Sequence, residues 1–71
     1  MSTHSDLVSR YPILVFFGYA HLPDHLQAVS KPLCEAAYEM AAFTTGSPAE
    51  TAAGLRKLLE AKDCFVRACL R

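Results

Sequence analysis

The stretch Ser47–Arg71, SPAETAAGLRKLLEAKDCFVRACLR, decides the fold of this chain. Its first residues predict a capping box, in which the Ser47 side chain accepts from the Glu50 N–H and the Glu50 carboxylate accepts from the Ser47 N–H. Pro48 suits the first helical position, because an N–H there would have no partner. Apolar residues then recur every three or four positions, at Leu55, Leu58, Leu59, Phe65, Val66, Cys69 and Leu70. The stretch predicts one long helix over 47–70.

A second helical pattern occupies 23–43. Pro23 at the first helical position and Asp24 in the first turn suit a helix start. Pro32 removes the hydrogen bond to the Ala28 carbonyl, so we expect a kink near Ser30 and Lys31. The turn over 44–46 is short enough to make the two helices antiparallel neighbours. The apolar stripe of this helix comprises Leu26, Val29, Leu33, Ala37 and Met40.

The N-terminal segment, 1–22, precedes this hairpin. Residues 1–5 are small and polar, and we expect them to be frayed. Pro12 pushes Tyr11 out of the α region, which predicts a short helical turn before Pro12 and another short piece after it. Because β-branched and aromatic residues dominate 13–17, a strand is the alternative, and whether 6–17 is helical or extended stays open. The predicted fold is all-α: an antiparallel helical hairpin with a short N-terminal helical segment, one domain over 1–71.

Composition favours self-association. The chain has 71 residues, of which 52% are hydrophobic, and a two-layer hairpin cannot hide that much apolar surface. The Ile13–Phe17 run and the end of the long helix are left for another copy to cover, so we expect a homo-oligomer.

Charge and cysteine content narrow the partners and the compartment. The formal net charge is zero, which argues against a nucleic-acid polymer or an anionic membrane as partner. The longest apolar run is too short to span a bilayer. Three cysteines without paired spacing are typical of reduced thiols, so we expect a cytoplasmic protein.

Several residues have side chains that catalysis or metal binding uses, but none completes a site. His21 and His25 have the spacing of metal ligands without a third ligand nearby in the sequence. Cys34 with a histidine would be a nucleophile–base pair, and Glu35 with Glu39 an acid–base pair. Surface histidines, a buried thiol and a solvated helix face are the simpler interpretations. We therefore predict no enzyme, no catalytic residue, no metal and no cofactor.

Two groups of residues suggest ligand binding. Aromatic residues at Phe17 and Tyr19, with His21 beside them, can stack on bases, and Ser30 and Lys31 at the expected kink can meet a phosphate. An aromatic core cluster is the simpler interpretation of the same residues.

The second group is Arg67 and Arg71, four residues apart on one helix face. Together they can clamp phosphates, and symmetry would multiply the effect. A basic helix end favoured by the helix dipole is the alternative, and Asp63 is spaced to pair with Arg67.

The segments FGYAHLPDHLQAVSKPLCEAA and PAETAAGLRKLLEAKDCFVRACLR resemble a family of short phage and prophage helical hairpins. These are the anti-CBASS sponges of cyclic oligonucleotides and the related anti-Thoeris sponges of cyclic ADP-ribose isomers. The resemblance covers roughly Phe16–Arg71, and its most specific parts are Phe17–Pro23 (F-x-Y-x-H-L-P) and the helix core Leu55–Ala68. It implies a homohexamer that sequesters signalling nucleotides without cleaving them, so that defence effectors stay inactive.

The resemblance also implies roles for individual residues. Tyr19 and Lys31 would contact the bases and phosphates of a cyclic dinucleotide between protomers, and Arg71, with Arg67 beside it, would bind a cyclic trinucleotide. The chain departs from some members at Ala49, where they have Arg, and at Ala20, where they have a polar residue. Such a protein would act in the cytoplasm of a host bacterium. The alternative function is a small oligomeric protein-interaction module without a nucleotide ligand.

Overall fold

The computed structural model describes residues 3–70. It contains a short helix α1 (His4–Arg10), a 3-10 helix (Pro12–Phe17) and two long helices, α2 (Asp24–Phe43) and α3 (Pro48–Ala68). The two long helices pack antiparallel, as predicted. This part of the chain measures 39 × 20 × 16 Å, an elongated shape that follows from two helices each about 30 Å long.

Helix α1 begins at a capping box. The Thr3 hydroxyl accepts from the Asp6 N–H (3.2 Å), and the Asp6 carboxylate accepts from the Thr3 N–H (3.3 Å). The box satisfies two N–H groups at the start of a helix too short to persist alone. Because His4 and Ser5 belong to this helix, the expectation of fraying is wrong for residues 3–5. Residues 1 and 2 lie outside the described residues.

Pro12 separates α1 from the 3-10 helix. Tyr11 has φ −129° and ψ 81°, outside the α region as expected before a proline. Pro12–Phe17 then forms the 3-10 helix, so the predicted pair of short helical pieces is confirmed and the strand alternative is wrong.

The ends of the long helices differ slightly from the predicted ones. α2 begins at Asp24, and Pro23 is its N-cap rather than its first helical residue. At α3 the Ser47 hydroxyl accepts from the Glu50 N–H (3.3 Å), but the predicted return bond from the Ser47 N–H is not formed. α3 ends at Ala68, two residues earlier than predicted. α2 continues through Pro32, and the kink there stays a prediction.

Threonine hydroxyls hold the hairpin turn. The Thr51 hydroxyl donates to the Thr44 carbonyl (2.6 Å), and the two threonine hydroxyls lie 2.6 Å apart. Thr44 also donates to the Met40 carbonyl (2.6 Å). The Thr51 bond joins the end of α2 to the first turn of α3 and satisfies the carbonyl of the C-cap residue.

The N-terminal segment contributes much of the core. Its buried side chains are spaced four, three and three residues apart, so they form one face across α1 and the 3-10 helix. The buried hydrophobic cluster comprises Leu7, Tyr11, Leu14, Phe17, Ala37, Ala41 and Leu55. Because four of these seven precede α2, the hairpin closes on a third layer, and the two-layer picture drawn from the sequence is wrong.

Only part of the apolar run Ile13–Phe17 is therefore exposed and open to contact with another copy of the chain. Leu14 and Phe17 are buried within the chain, whereas Val15 and Phe16 are 58% and 63% exposed. Large exposed apolar side chains also occur on the long helices, at Met40 and Phe43 on α2 and at Phe65 near the end of α3. Self-association stays a prediction.

Within residues 3–70, no helix combines the length and the apolar character needed to cross a bilayer.

Candidate functional site

An open groove of about 660 Å³ lies between the loop after the 3-10 helix, the middle of α2 and the start of α1. Its volume falls within the range of about 300–1,000 Å³ typical of small-molecule sites. Its lining residues are His4, Gly18, Tyr19, Ala20, His21, Cys34, Glu35, Tyr38 and Glu39.

Backbone and side-chain hydrogen bonds fix the loop that carries Tyr19 and His21. The Leu22 N–H donates to the Tyr19 carbonyl (3.0 Å), which closes a turn. The Gln27 side-chain amide donates to the Leu22 carbonyl (2.8 Å) and, more weakly, to the Ala20 carbonyl (3.5 Å). Gln27 thereby ties the loop to α2 and holds Tyr19 at the groove.

Aromatic rings dominate the groove. The His4 and Tyr38 rings are stacked, with centroids 4.2 Å apart and planes 25° from parallel. Tyr19 is half-buried and His21 is exposed on the facing loop. Four flat side chains from three segments of the chain therefore surround one open space, where a planar ligand can stack.

The charged residues that line the groove are acidic. Glu35 and Glu39 are both exposed, so their carboxylates can accept hydrogen bonds from a ligand. Burial, and then the Glu35 charge, raise the pKa of the Cys34 thiol. Burial, and then Cys34, raise the pKa of the Tyr38 hydroxyl. At neutral pH the thiol and the phenol are protonated, so both can donate to a ligand.

The structure brings only part of the predicted dinucleotide site together. Tyr19 and His21 line the groove, but Lys31 is exposed on α2 and does not. Phe17 is fully buried in the core, and Ser30 is fully buried as well, so neither can touch a ligand on the surface of this chain. The predicted aromatic–basic cluster is thus an aromatic–acidic groove.

The Ser30 hydroxyl is a buried polar group that has no hydrogen-bond partner in the described part of the chain. An unpartnered buried hydroxyl costs about 1–3 kcal/mol. Ser30 lies one turn after Leu26 on the buried side of α2 and close to Pro32.

The predicted trinucleotide site is described only in part, because Arg71 lies outside the described residues. Arg67 is exposed in the last turn of α3, where its guanidinium donates to the Cys64 sulfur (3.3 Å). Asp63 pairs with Lys62 (3.1 Å) rather than with Arg67, so the predicted i,i+4 pair is wrong. No acidic side chain of the described chain therefore neutralises Arg67.

Sequence reasoning missed two aromatic members of the groove, His4 and Tyr38. The pattern Thr3-x-x-Asp6 is a capping-box signature and could have placed His4 in a helix. Tyr38 lies four residues after Cys34, one helical turn away on the same face. The sequence pattern does not indicate that Cys34, Glu35 and Glu39 line a groove with aromatic residues.

The two histidines considered as metal ligands do not share a helix, since His21 lies in the loop and His25 in the first turn of α2. Among residues 3–70, no three His, Cys, Asp or Glu side chains are grouped so as to hold a metal ion. Comparison with family models, curated proteins and solved structures finds no match for this chain.

Proposed function

We propose that this chain is a non-catalytic sponge that binds cyclic di- and/or trinucleotide immune signals and withholds them from bacterial anti-phage effectors. The observation that carries the proposal is the groove in which Tyr19, His21, Tyr38 and the stacked His4 surround one open space. Stacking of a base on an aromatic side chain contributes about 1–3 kcal/mol and tolerates any base. The resemblance of the segments around Tyr19 and Leu55 to the sponge family agrees with this use.

The charge of the groove indicates which part of the ligand enters it. Phosphates are repelled by Glu35 and Glu39, whereas the exocyclic amino groups of adenine, guanine and cytosine are donors that a carboxylate accepts. The bases therefore occupy the groove, and the phosphates face outwards. Lys31 lies four residues before Glu35, on the same side of α2, and makes no ion pair with any described residue. It supplies the charge that a phosphate at the mouth of the groove needs.

Isothermal titration calorimetry with a panel of cyclic dinucleotides, cyclic trinucleotides and cyclic ADP-ribose isomers tests the proposal. We expect at least one ligand to bind and Tyr19→Ala to weaken that binding by about 1–3 kcal/mol, since the variant loses a stacking surface. Phe43→Ala is the matched control, because Phe43 is an aromatic residue, 71% exposed, that does not line the groove. Equal losses in the two variants would contradict a role for the groove.

The same samples distinguish a sponge from an enzyme. After denaturation of the protein, chromatography of the released ligand should return it intact. A degraded product would show catalysis and overturn the proposal.

We also propose that Arg67 and Arg71 bind a cyclic trinucleotide in the assembled homohexamer. In support, Arg67 makes no ion pair within residues 3–70, and charge-assisted arginine–phosphate bonds are strong. The variant Arg67→Ala/Arg71→Ala should lose trinucleotide binding and keep dinucleotide binding at the groove. Equal loss of both ligands would mean that the arginines only support the assembly.

The exposed apolar side chains favour one alternative, an oligomeric protein-interaction module without a nucleotide ligand. Phe16, Phe43 and Phe65 are each more than half exposed, as contact surfaces between proteins often are. This alternative would be favoured if no ligand of the panel binds and light scattering shows several times the mass of one chain. A well-folded monomer at micromolar concentration would contradict both it and any site shared between protomers.

A further inference from the structure

A small basic pocket lies on the chain, separate from the aromatic groove. It is open, has a volume of about 200 Å³, and joins the end of α1, the start of the 3-10 helix and the first half of α3. Its lining residues are Arg10, Tyr11, Pro12, Ile13, Ala52 and Arg56. None of them lines the aromatic groove.

The pocket brings two positive charges together without a compensating negative charge. Arg10 comes from the last turn of α1 and Arg56 from α3, and both are exposed. No carboxylate lines the pocket, and neither arginine makes an ion pair or a side-chain hydrogen bond with the residues that the structure describes. Two like charges at one pocket repel each other, and an anion between them removes that repulsion.

The remaining walls are apolar and fixed. Pro12 has a constrained backbone, Ile13 is half-buried, and Tyr11 is 6% exposed with its ring in the core. The two arginines come from different segments of the chain, α1 and α3, and meet at these walls. Such an arrangement exists only in the folded protein.

We propose that Arg10 and Arg56 form a binding site for a phosphate group. A guanidinium matches phosphate geometry with two parallel N–H donors, and two of them can grip one phosphate from both sides. The pocket is smaller than the roughly 300–1,000 Å³ of sites that enclose a whole small molecule. It takes the phosphate, with a small apolar substituent against Pro12 and Ile13, and leaves the rest of a larger ligand outside.

The phosphate can be free, a monoester, or part of a cyclic nucleotide, and three probes distinguish these sources. Inorganic phosphate, phenyl phosphate and a cyclic dinucleotide are titrated separately by calorimetry into the intact chain. Binding of any of them that depends on both arginines supports the site, and the probe that binds most tightly identifies the source. If none of the three probes binds, the proposal is overturned.

Substitutions separate the pocket from general positive charge. Arg10→Gln and Arg56→Gln should each weaken binding of the best probe by about tenfold or more, since each variant loses charge-assisted hydrogen bonds to the phosphate. Lys57→Gln is the matched control: it removes the same charge next to Arg56 from a residue that does not line the pocket. Its effect should be small and should vanish with added salt. An equal loss in all three variants would overturn the site.

Two further measurements exclude indirect effects. Because both arginines are exposed, their glutamine variants should keep the circular dichroism spectrum of the parent chain. Tyr19→Ala should leave binding of inorganic phosphate unchanged, so the site stands or fails independently of the aromatic groove.

Discussion

The register of residues 14–17 can be tested by substituting each one with alanine. In the 3-10 helix Leu14 and Phe17 share the buried face, 1% and 0% exposed, while Val15 and Phe16 face outwards. A strand would instead place Val15 with Phe17 on one face. The pattern of stability losses along four consecutive residues therefore distinguishes the two geometries.

The expected losses are large compared with the stability of so small a chain. At about 0.05–0.15 kcal/mol per residue, 71 residues give a free energy of unfolding of about 4–11 kcal/mol. Phe17→Ala should cost about 3–5 kcal/mol and Leu14→Ala about 2–5 kcal/mol, because each leaves a cavity in the core. Val15→Ala and Phe16→Ala should each cost about 0.5 kcal/mol or less, as exposed substitutions do.

Urea denaturation followed by circular dichroism, at several protein concentrations, measures these losses. The protein concentration matters because Phe16 can be buried between copies of the chain. In that case the stability lost in Phe16→Ala grows with protein concentration, whereas the stability lost in Phe17→Ala does not. A large cost at Val15 with a small one at Leu14 would refute the helical register. If Phe16→Ala and Phe17→Ala lowered the free energy of unfolding by equal, small amounts, the burial of Phe17 would be refuted. Phe17 would then again be a candidate for ligand contact.

Two further predictions concern the turn and the aromatic groove. Thr51→Val removes the hydroxyl that bonds to Thr44 and should lower the free energy of unfolding, measured in urea, by about 1–3 kcal/mol. The control Thr45→Val, at an exposed position, should change it by less than about 0.5 kcal/mol. Equal effects of the two substitutions would contradict the role of the Thr51 hydroxyl. Because burial raises the pKa of Cys34 and Tyr38, the folded chain holds their protons more tightly than the unfolded chain does. The stability they contribute is present below pH 9.0, the ordinary value for a thiol, and is lost as the pH rises through their folded values. Thermal unfolding measured across this pH range should show that the stability falls as the pH rises, and Cys34→Ala should make the fall smaller. An unchanged dependence of stability on pH in Cys34→Ala would contradict the raised pKa of Cys34.

Local signals in the sequence were enough to predict the long helices. Pro48 and the Ser47 cap define the start of α3, and the short turn after Phe43 makes α2 its antiparallel neighbour. Pro12 likewise defines the break between the two N-terminal helical pieces. Each of these features depends on residues close together in the chain, where capping and backbone restriction act directly.

The aromatic groove was harder to predict because it depends on contacts between distant segments. Tyr19 and His21 were identified, but the residues that face them come from α1 and from α2. The His4–Tyr38 stack joins positions far apart in the sequence, and no local pattern indicates it. Lys31 lies near the expected kink, but the charged residues of α2 that line the groove are Glu35 and Glu39.

The buried face of α2 differs in part from the predicted apolar stripe. Leu26 and Ala37 of the predicted apolar stripe are buried, but Met40 is 44% exposed, and the buried face also carries Ser30 and Ala41. The large side chains of the core come mainly from the N-terminal segment, led by Phe17. A helix packed against such bulky neighbours approaches closely only through small residues, so after Leu26 the buried positions of α2 are one serine and two alanines, and Met40 stays outside. The periodicity of α2 alone could not reveal which of its residues are buried. Met is more hydrophobic than Ala, but the space beside the N-terminal segment admits only small side chains. The same face of α2 buries Ser30, and Glu35 and Glu39 line the groove with Tyr19, so the packing of the N-terminal segment sets the acidic character of the groove.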